Sequence, residues 1–409
     1  MLHGFAAYSG VSLQVTYAGG GTDTQPDPFS FTPQTNVALG ATVTSNTITP
    51  TGYDVSAPVS VTNGTYSIGC TGTFTGSAGS ISPGQSVCVR HTAAGTPNST
   101  VTTTLTIGGV NGTFSSTTTA VSPGSLFRAY LSAAGSDSNP CTLPSPCRLL
   151  PAALAAVASG GEIWMLNSAN YNTATVNVSK SVSILAMPGV VGSLVATGGP
   201  AISITASGLN VALRNLVIAP LAGGGATHGI VMTGDSTLII EDSLIANLPQ
   251  NGISLGGAGT LKVANSTLRN NAGAAFALAG GRAAISSTQM LANGNGVLAV
   301  LPAAATVSAA ISDSVISDGF YGVRAQTAAT GATARIQVTR STIERAQRAL
   351  QSDTNGNGTA SVVVSGSMIV YSNYAWYHDG TGATISSLGN NHFTDNTTSF
   401  GSLTPIGPQ

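Results

Sequence analysis

Through much of the second half of the chain, large apolar residues alternate with small or polar ones, and the alternation recurs. The segments LIIEDSLI (Leu238–Ile245), LKVANSTL (Leu261–Leu268), AAISDSVI (Ala309–Ile316), IQVTRSTI (Ile336–Ile343) and VVVSGSMI (Val362–Ile369) are variants of one phrase. A period of two is that of a β-strand and not of a helix. Aligned on their small polar residue (Ser243, Ser266, Thr288, Ser314, Ser341, Ser367 and Asn390), the copies step by 23, 22, 26, 27, 26 and 23 residues. Self-similarity at such a period is the mark of a stacked repeat. A short strand cannot bury its apolar side chains alone, so each copy needs a neighbour above and below. Each step has room for two or three strands and their turns, one coil of a parallel solenoid. Asn251-Gly252, Asn270-Asn271, Asn293 to Gly296, Asp318-Gly319 and Asn355-Gly356 punctuate the steps with residues that tolerate left-handed backbone.

A leucine-rich repeat has a similar period, but its L-x-x-L-x-L phrase and helical half are both missing. From these phrases the chain resembles the right-handed parallel β-helix family of pectin-degrading enzymes, phage tailspikes and bacterial surface proteins, over roughly Leu126–Leu403. The resemblance implies about ten coils stacked at roughly 4.8 Å, a rod on the order of 50 Å long. It names an architecture and no function.

The expected class is therefore all-β, with a right-handed parallel β-helix behind a small β-sandwich. Residues 1–25 contain the apolar stretch Val11–Tyr17 and a Gly-rich linker, an anchor to another protein or a frayed terminus. Residues 26–120 carry short alternating runs with turn clusters every 8–12 residues, the pattern of a sandwich. The phrases from Asp27 to Thr49 and from Val89 to Ser115 resemble an immunoglobulin-like module of bacterial and phage surface proteins, which implies Cys70 and Cys88 on neighbouring strands. Arg90 and His91 read as polar residues capping a strand end. Residues 121–161 hold a linker and a helix over Leu149–Ala158, with Pro151 in its first turn and Gly160-Gly161 as its stop, placed to cap the solenoid. Residues 162–409 are coils with a C-terminal cap.

Charge changes the picture by its scarcity. Only 7% of the 409 residues are charged and the net charge is −1. With no basic run in the sequence, nucleic acid and anionic membrane are not expected partners. No apolar run approaches the ~18 residues of a membrane span. The N-terminal segment lacks the basic and apolar regions of a secretory leader, which fits a virion protein freed by lysis as well as an extracellular one. The four cysteines fall into two local pairs, Cys70 with Cys88 and Cys141 with Cys147; disulfides in an oxidising place and free thiols both fit, and the spacings are not those of a zinc site.

With fourteen acidic residues, catalytic candidates can be sought exhaustively. Asp353 and Asp379 each follow their marker Ser by twelve residues, so they should stack in adjacent coils, with His378 beside the second. Asp318 and Glu344 form a second near-stacked pair, flanked by Tyr321, Arg324 and Arg345. Two close carboxylates can share a proton or attack a glycosidic carbon. Yet Asp353 and Asp379 lie in DTNGNGT and HDGTG, which read as turns. The first of these matches half a calcium loop but has Val364 where the bidentate carboxylate belongs, so no metal or cofactor is expected. The aromatic cluster Tyr371, Tyr374, Trp376 and Tyr377 is either part of a C-terminal cap or a patch on which sugars stack.

These readings converge on a non-enzymatic fibre, spike or adhesin subunit of a virion or cell surface, binding host or matrix glycans and meeting neighbouring proteins through its N-terminal segment. A β-helix polysaccharide hydrolase or lyase and a purely structural assembly part are the competing readings. Phage β-helices are often homotrimers, although no trimerising tail follows Phe400.

Overall fold

The computed structural model describes residues 22–120 and 122–407, and the chain divides into two compact units, Met1–Val121 and Ser122–Gln409. The anchor expected within residues 1–25 lies mostly outside the described residues.

The first unit has a five-stranded sheet (Gln34–Val37, Val110–Thr118, Thr100–Ile107, Ala57–Thr62, Gly79–Ile81) and a three-stranded one (Thr42–Thr44, Val87–Thr92, Thr65–Ile68). Val43, Tyr66, Val87 and Val89 of the smaller sheet share one core with Val59, Ile81, Leu105, Ile107 and Phe114 of the larger. Cys70 is disulfide-bonded to Cys88, just beyond the point where Ile68 pairs with Val87. His91 does not cap a strand end. It is inside the sandwich, 6% exposed, its Nδ1 2.7 Å from Thr103 Oγ1 and its Nε2 2.7 Å from Ser116 Oγ. The alternation of Val87–Thr92 points it inward with Val87 and Val89, and the two hydroxyls satisfy a ring that would otherwise be costly to bury.

The second unit is a right-handed parallel β-helix of about nine turns. Three parallel sheets run its length: a first of twelve strands, which opens with Leu126–Leu131 and Val157–Met165, and a second and third of ten each. In one representative coil the chain passes through Thr333–Thr339 in the first sheet, Thr342–Glu344 in the second and Arg348–Thr354 in the third. Inward positions of successive coils stack as like on like, for instance Ile285, Ile311, Val338 and Val364. All four belong to one continuous core that extends from Ala129 to Ile385. Each inward column buries apolar surface that no single coil could bury.

The repeat markers have a structural task. A single left-handed residue (Asp242, Asn265, Ser287, Asp313, Arg340) turns the chain from the first sheet to the second, and the marker follows it. The marker hydroxyls from Ser243 to Ser367 donate to the carbonyl two residues back, as Ser341 does to Thr339 at 2.9 Å, and those of Ser266, Ser314, Ser341 and Ser367 also accept the N–H of the marker one coil earlier, as Ser341 does from Ser314 at 3.1 Å. The corner, too tight for regular pairing, thus keeps its buried backbone satisfied. The ladder ends on Asn391, whose Oδ1 accepts from Ser367 N–H at 2.8 Å, and not on Asn390, because Leu388-Gly389 carries one extra residue.

The helix is shorter than expected, Leu150–Ala156, and its Leu150, Ala153 and Leu154 enter the solenoid core. Gly160-Gly161 does not stop it; both glycines lie within the strand Val157–Met165. Gly160 has a left-handed φ of 84°, and a Cβ on Gly161 would collide with the carbonyl of Phe127, so the pair forms an irregularity in pairing with the preceding strand. A second disulfide joins Cys141 to Cys147 in the loop before the helix.

Candidate ligand-binding face

The outward positions of the third sheet form a grid near the C-terminal end of the solenoid. Arg324, Gln351 and Tyr377 are register partners across three adjacent strands, and so are Gln326, Asp353 and Asp379, and Tyr321, Arg348 and Tyr374. Phe400 continues the middle column beyond Tyr377. Alternation fixes these directions: Val323, Ala325 and Leu350 between them are buried in the core.

Polar atoms in the grid are tied together. Arg324 Nε and Nη2 donate to Asp353 Oδ1 and Oδ2 at 3.0 and 2.9 Å, a bidentate pair whose side chains are 19% and 8% exposed. Gln351 Nε2 donates to Asp353 Oδ1 at 2.7 Å, and Arg348 Nη1 donates to Gln351 Oε1 at 2.9 Å. Burial alone would weaken the charged form of Arg324. The hydrogen bonds to Asp353 and its charge outweigh that, leaving the guanidinium above its ordinary pKa.

Aromatic rings border this network. Tyr377 and Phe400 are stacked, their centroids 4.8 Å apart, and Tyr374 meets Tyr377 edge-on at 5.7 Å. The Arg348 guanidinium lies 3.8 Å from the centre of the Tyr377 ring, and that of Arg324 4.6 Å from Tyr321. Among the described residues Arg348 forms no ion pair, and its buried Nε has no hydrogen-bond partner.

Asp353 and Asp379 are indeed register partners, but they are strand residues and not turn residues. Their segment read as a turn because Ser352 and Thr354, which point inward, are polar. Ser352 finds its partner in the carbonyl of Ala360, and the Thr354 hydroxyl accepts from Gly382 N–H. His378 does not flank Asp379; it turns to the other side of the strand, and its Nε2 donates to Ala383 O at 2.7 Å. Asp318 sits at a left-handed corner, where Arg345 grips it bidentately and also reaches Glu344 at 2.8 Å. Those hydrogen bonds hold Asp318 below the usual carboxylate range. Arg324, expected beside this pair, serves Asp353 instead.

Of the four aromatics singled out in the sequence, Tyr374 and Tyr377 are on the grid. Tyr371 is 62% exposed at a corner between the second and third sheets. Trp376 faces inward, packs on Phe393 at the end of the core and donates to Gly401 O. Sequence reasoning missed Arg348 and Gln351. The signal was there: Tyr321 to Arg348 to Tyr374 steps by 27 and 26 residues, as do the markers Ser314, Ser341 and Ser367. Among the described residues no three His, Cys, Asp or Glu side chains converge on a metal site.

Residues 200–355 match a family model described as a right handed beta helix region. Among solved structures the chain is similar to an alginate lyase from Paenibacillus sp. str. FPU-7, at 13% identity over 68% of this chain and 100% of that one, with a TM-score of 0.45. It is similar to XylC in complex with xylose, at 9% identity over 64% and 68% of the two chains and a TM-score of 0.42. It is also similar to the catalytic unit of a GH87 alpha-1,3-glucanase from Streptomyces thermodiastaticus strain HF3-3, at 12% identity over 88% and 89%, TM-score 0.30. None of the curated proteins matches the chain.

Proposed function

We propose that this chain is a non-enzymatic surface protein, a fibre, spike or adhesin subunit of a virion or cell surface, whose third-sheet face attaches to host or matrix glycans. The observation that carries the reading is the combination of the exposed Phe400 ring, backed by the half-buried Tyr377 and Tyr374, with a guanidinium, Arg348, that forms no ion pair among the described residues. Sugars present apolar C–H faces that stack on such rings and hydroxyls that accept from such a guanidinium. A nine-turn solenoid holds these groups on strands instead of loops, so little conformational freedom is lost on binding.

The carboxylates favour attachment over cleavage. General acid or nucleophilic work needs a carboxylate that can change its protonation or its bonds. Asp353 is closed on both oxygens by Arg324 and Gln351, and Asp318 and Glu344 are bridged by Arg345. Two disulfides fit an oxidising, extracytoplasmic place.

The test exposes host capsule and lipopolysaccharide to the full chain. Saturable binding without new reducing or unsaturated ends is expected, and it weakens in Tyr377→Ala. Chain ends that accumulate with wild type and vanish in Asp353→Asn or Glu344→Gln overturn the reading in favour of a depolymerase. No binding at all leaves an assembly role.

A further inference from the structure

The scarce charges of the solenoid are unevenly spent. Arg128, Arg214, Arg324, Arg340 and Arg345 each hold a carboxylate. On the outer side of the first sheet, by contrast, Lys262, Arg282 and Arg335 are exposed and form no ion pair among the described residues. Arg282, Ser308 and Arg335 are register partners on three consecutive strands, and Lys262 is one strand away from Arg282, opposite Ala284. Their strand neighbours Leu261, Val263, Ala283, Ala334 and Ile336 are buried, which fixes the three cations outward. The strands from Thr260–Ala264 to Thr359–Ser365 carry no acidic residue. Glu241 and Asp313, which border the stretch, are already paired with Arg214 and Arg340.

The shape agrees with the charge. Ser308 and Ala310, both small, separate the two long arginine side chains and leave a shallow trough of about 320 Å³, with Gln337 on its rim. Two strand steps of roughly 4.8 Å put the arginines about 10 Å apart, far enough that their mutual repulsion in water is slight. That separation is comparable with the length of a disaccharide. Each guanidinium presents a planar fork of donors suited to a carboxylate or sulfate.

We infer that this first-sheet face is a second binding surface, taking a linear acidic polysaccharide whose carboxylate or sulfate groups bind Arg282 and Arg335 while Ser308 and Gln337 meet its hydroxyls. It is separate from the third-sheet site and does not require that site to bind anything. Nucleic acid is the poorer match: three cations cannot neutralise the six to ten phosphates of a typical duplex footprint, and the trough has no aromatic ring on which a base could stack.

The test uses the full chain with four probes, polygalacturonate, dextran sulfate, unmodified dextran and a single-stranded oligonucleotide, at low and moderate salt. At least one acidic polymer should bind while dextran does not, and the affinity should fall as salt rises. The double variant Arg282→Gln/Arg335→Gln should lose about tenfold or more in affinity with its melting temperature unchanged, because neither side chain forms an ion pair among the described residues. Arg269→Gln, which removes an exposed cation from the second sheet, should bind as wild type does. The proposal is overturned if neither acidic polymer is preferred over dextran, if the double variant binds undiminished, or if a single-stranded oligonucleotide binds as tightly as the acidic polymers.

Discussion

Arg324 and Asp353 close a bidentate ion pair across adjacent strands of the third sheet, with Gln351 adding a third hydrogen bond to the carboxylate. The pair is largely withdrawn from water, so either partner alone would be a poorly solvated charge. Asp353→Asn should therefore destabilise the solenoid by about 2–3 kcal/mol, below the ~3–5 typical of a fully buried broken pair because Arg324 keeps some solvent contact. The replacement Arg324→Leu/Asp353→Leu should cost less than the single change. Denaturant unfolding of the three proteins checks this. Equal or greater loss in the double variant would show that the pair itself, and not the orphaned charge, carries the stability.

The aromatic positions differ in what they should do. Tyr377 is stacked on Phe400 and covered by Arg348, so it positions both groups, and Tyr377→Ala should lower glycan affinity about tenfold, the order expected when one ring and one guanidinium lose their support. Trp376 closes the end of the core, so Trp376→Ala should lower the melting temperature. Tyr371→Ala should change neither. Titration calorimetry with the bound glycan, beside thermal unfolding of each variant, separates the three.

The solenoid was legible in the sequence because like residues recur at the period of one coil, and the same recurrence placed Asp353 beside Asp379. What the sequence did not show was direction. Ser352 and Thr354 are polar yet face inward, which made a strand look like a turn, and Trp376 is aromatic yet faces the core, so its type alone left cap and ligand contact both open. Polarity marks the outside of a strand only where no buried backbone carbonyl or amide is within reach of the side chain, and Ala360 O and Gly382 N–H supply such partners here. The fixed acid–base partnerships were equally hidden. Arg324 is 29 residues from Asp353, a little over one coil, so only the register shows that they meet.

The corners between the second and third sheets are left-handed in every coil from Asn247 to Asp395, and most are occupied by Asn or Asp. Ala292 is an exception, with φ 51° and no side-chain hydrogen bond to offset the strain. Ala292→Asn should raise stability by about 0.5–1 kcal/mol, since Asn tolerates this conformation at lower cost. The midpoint of denaturant unfolding reads the gain directly.

The marker ladder makes a prediction of opposite sign. Ser341 Oγ is the acceptor for the buried N–H of Ser314, so Ser341→Ala leaves that donor without a partner in a corner closed to water. An orphaned buried donor costs about 1–3 kcal/mol, and a loss in that range is expected. Ser341→Thr, which keeps the hydroxyl as Thr288 does in its own coil, should recover most of it.

Below neutral pH the first unit should weaken, and His91 is the reason. Thr103 donates its hydroxyl proton to Asn63 O at 2.7 Å, so it can only accept from the ring, which places the proton on Nδ1 and makes Nε2 the acceptor for Ser116. The buried, neutral ring has no acid beside it, and burial lowers its pKa from 6.5. A depressed histidine pKa means that the unfolded chain takes up a proton near pH 6.5 while the folded chain does not. Stability is therefore fully present above that pH and declines as the pH falls toward the folded-state value. Hydrogen exchange should show protection of the Val87–Thr92 and Val110–Thr118 amides falling between about pH 7.5 and 5.5, once intrinsic rates are divided out. The coils around Ser341 should hold theirs. In His91→Gln the first unit should be weaker at every pH, and this part of its pH dependence should be gone; a slope that persists in the variant would assign it to another group.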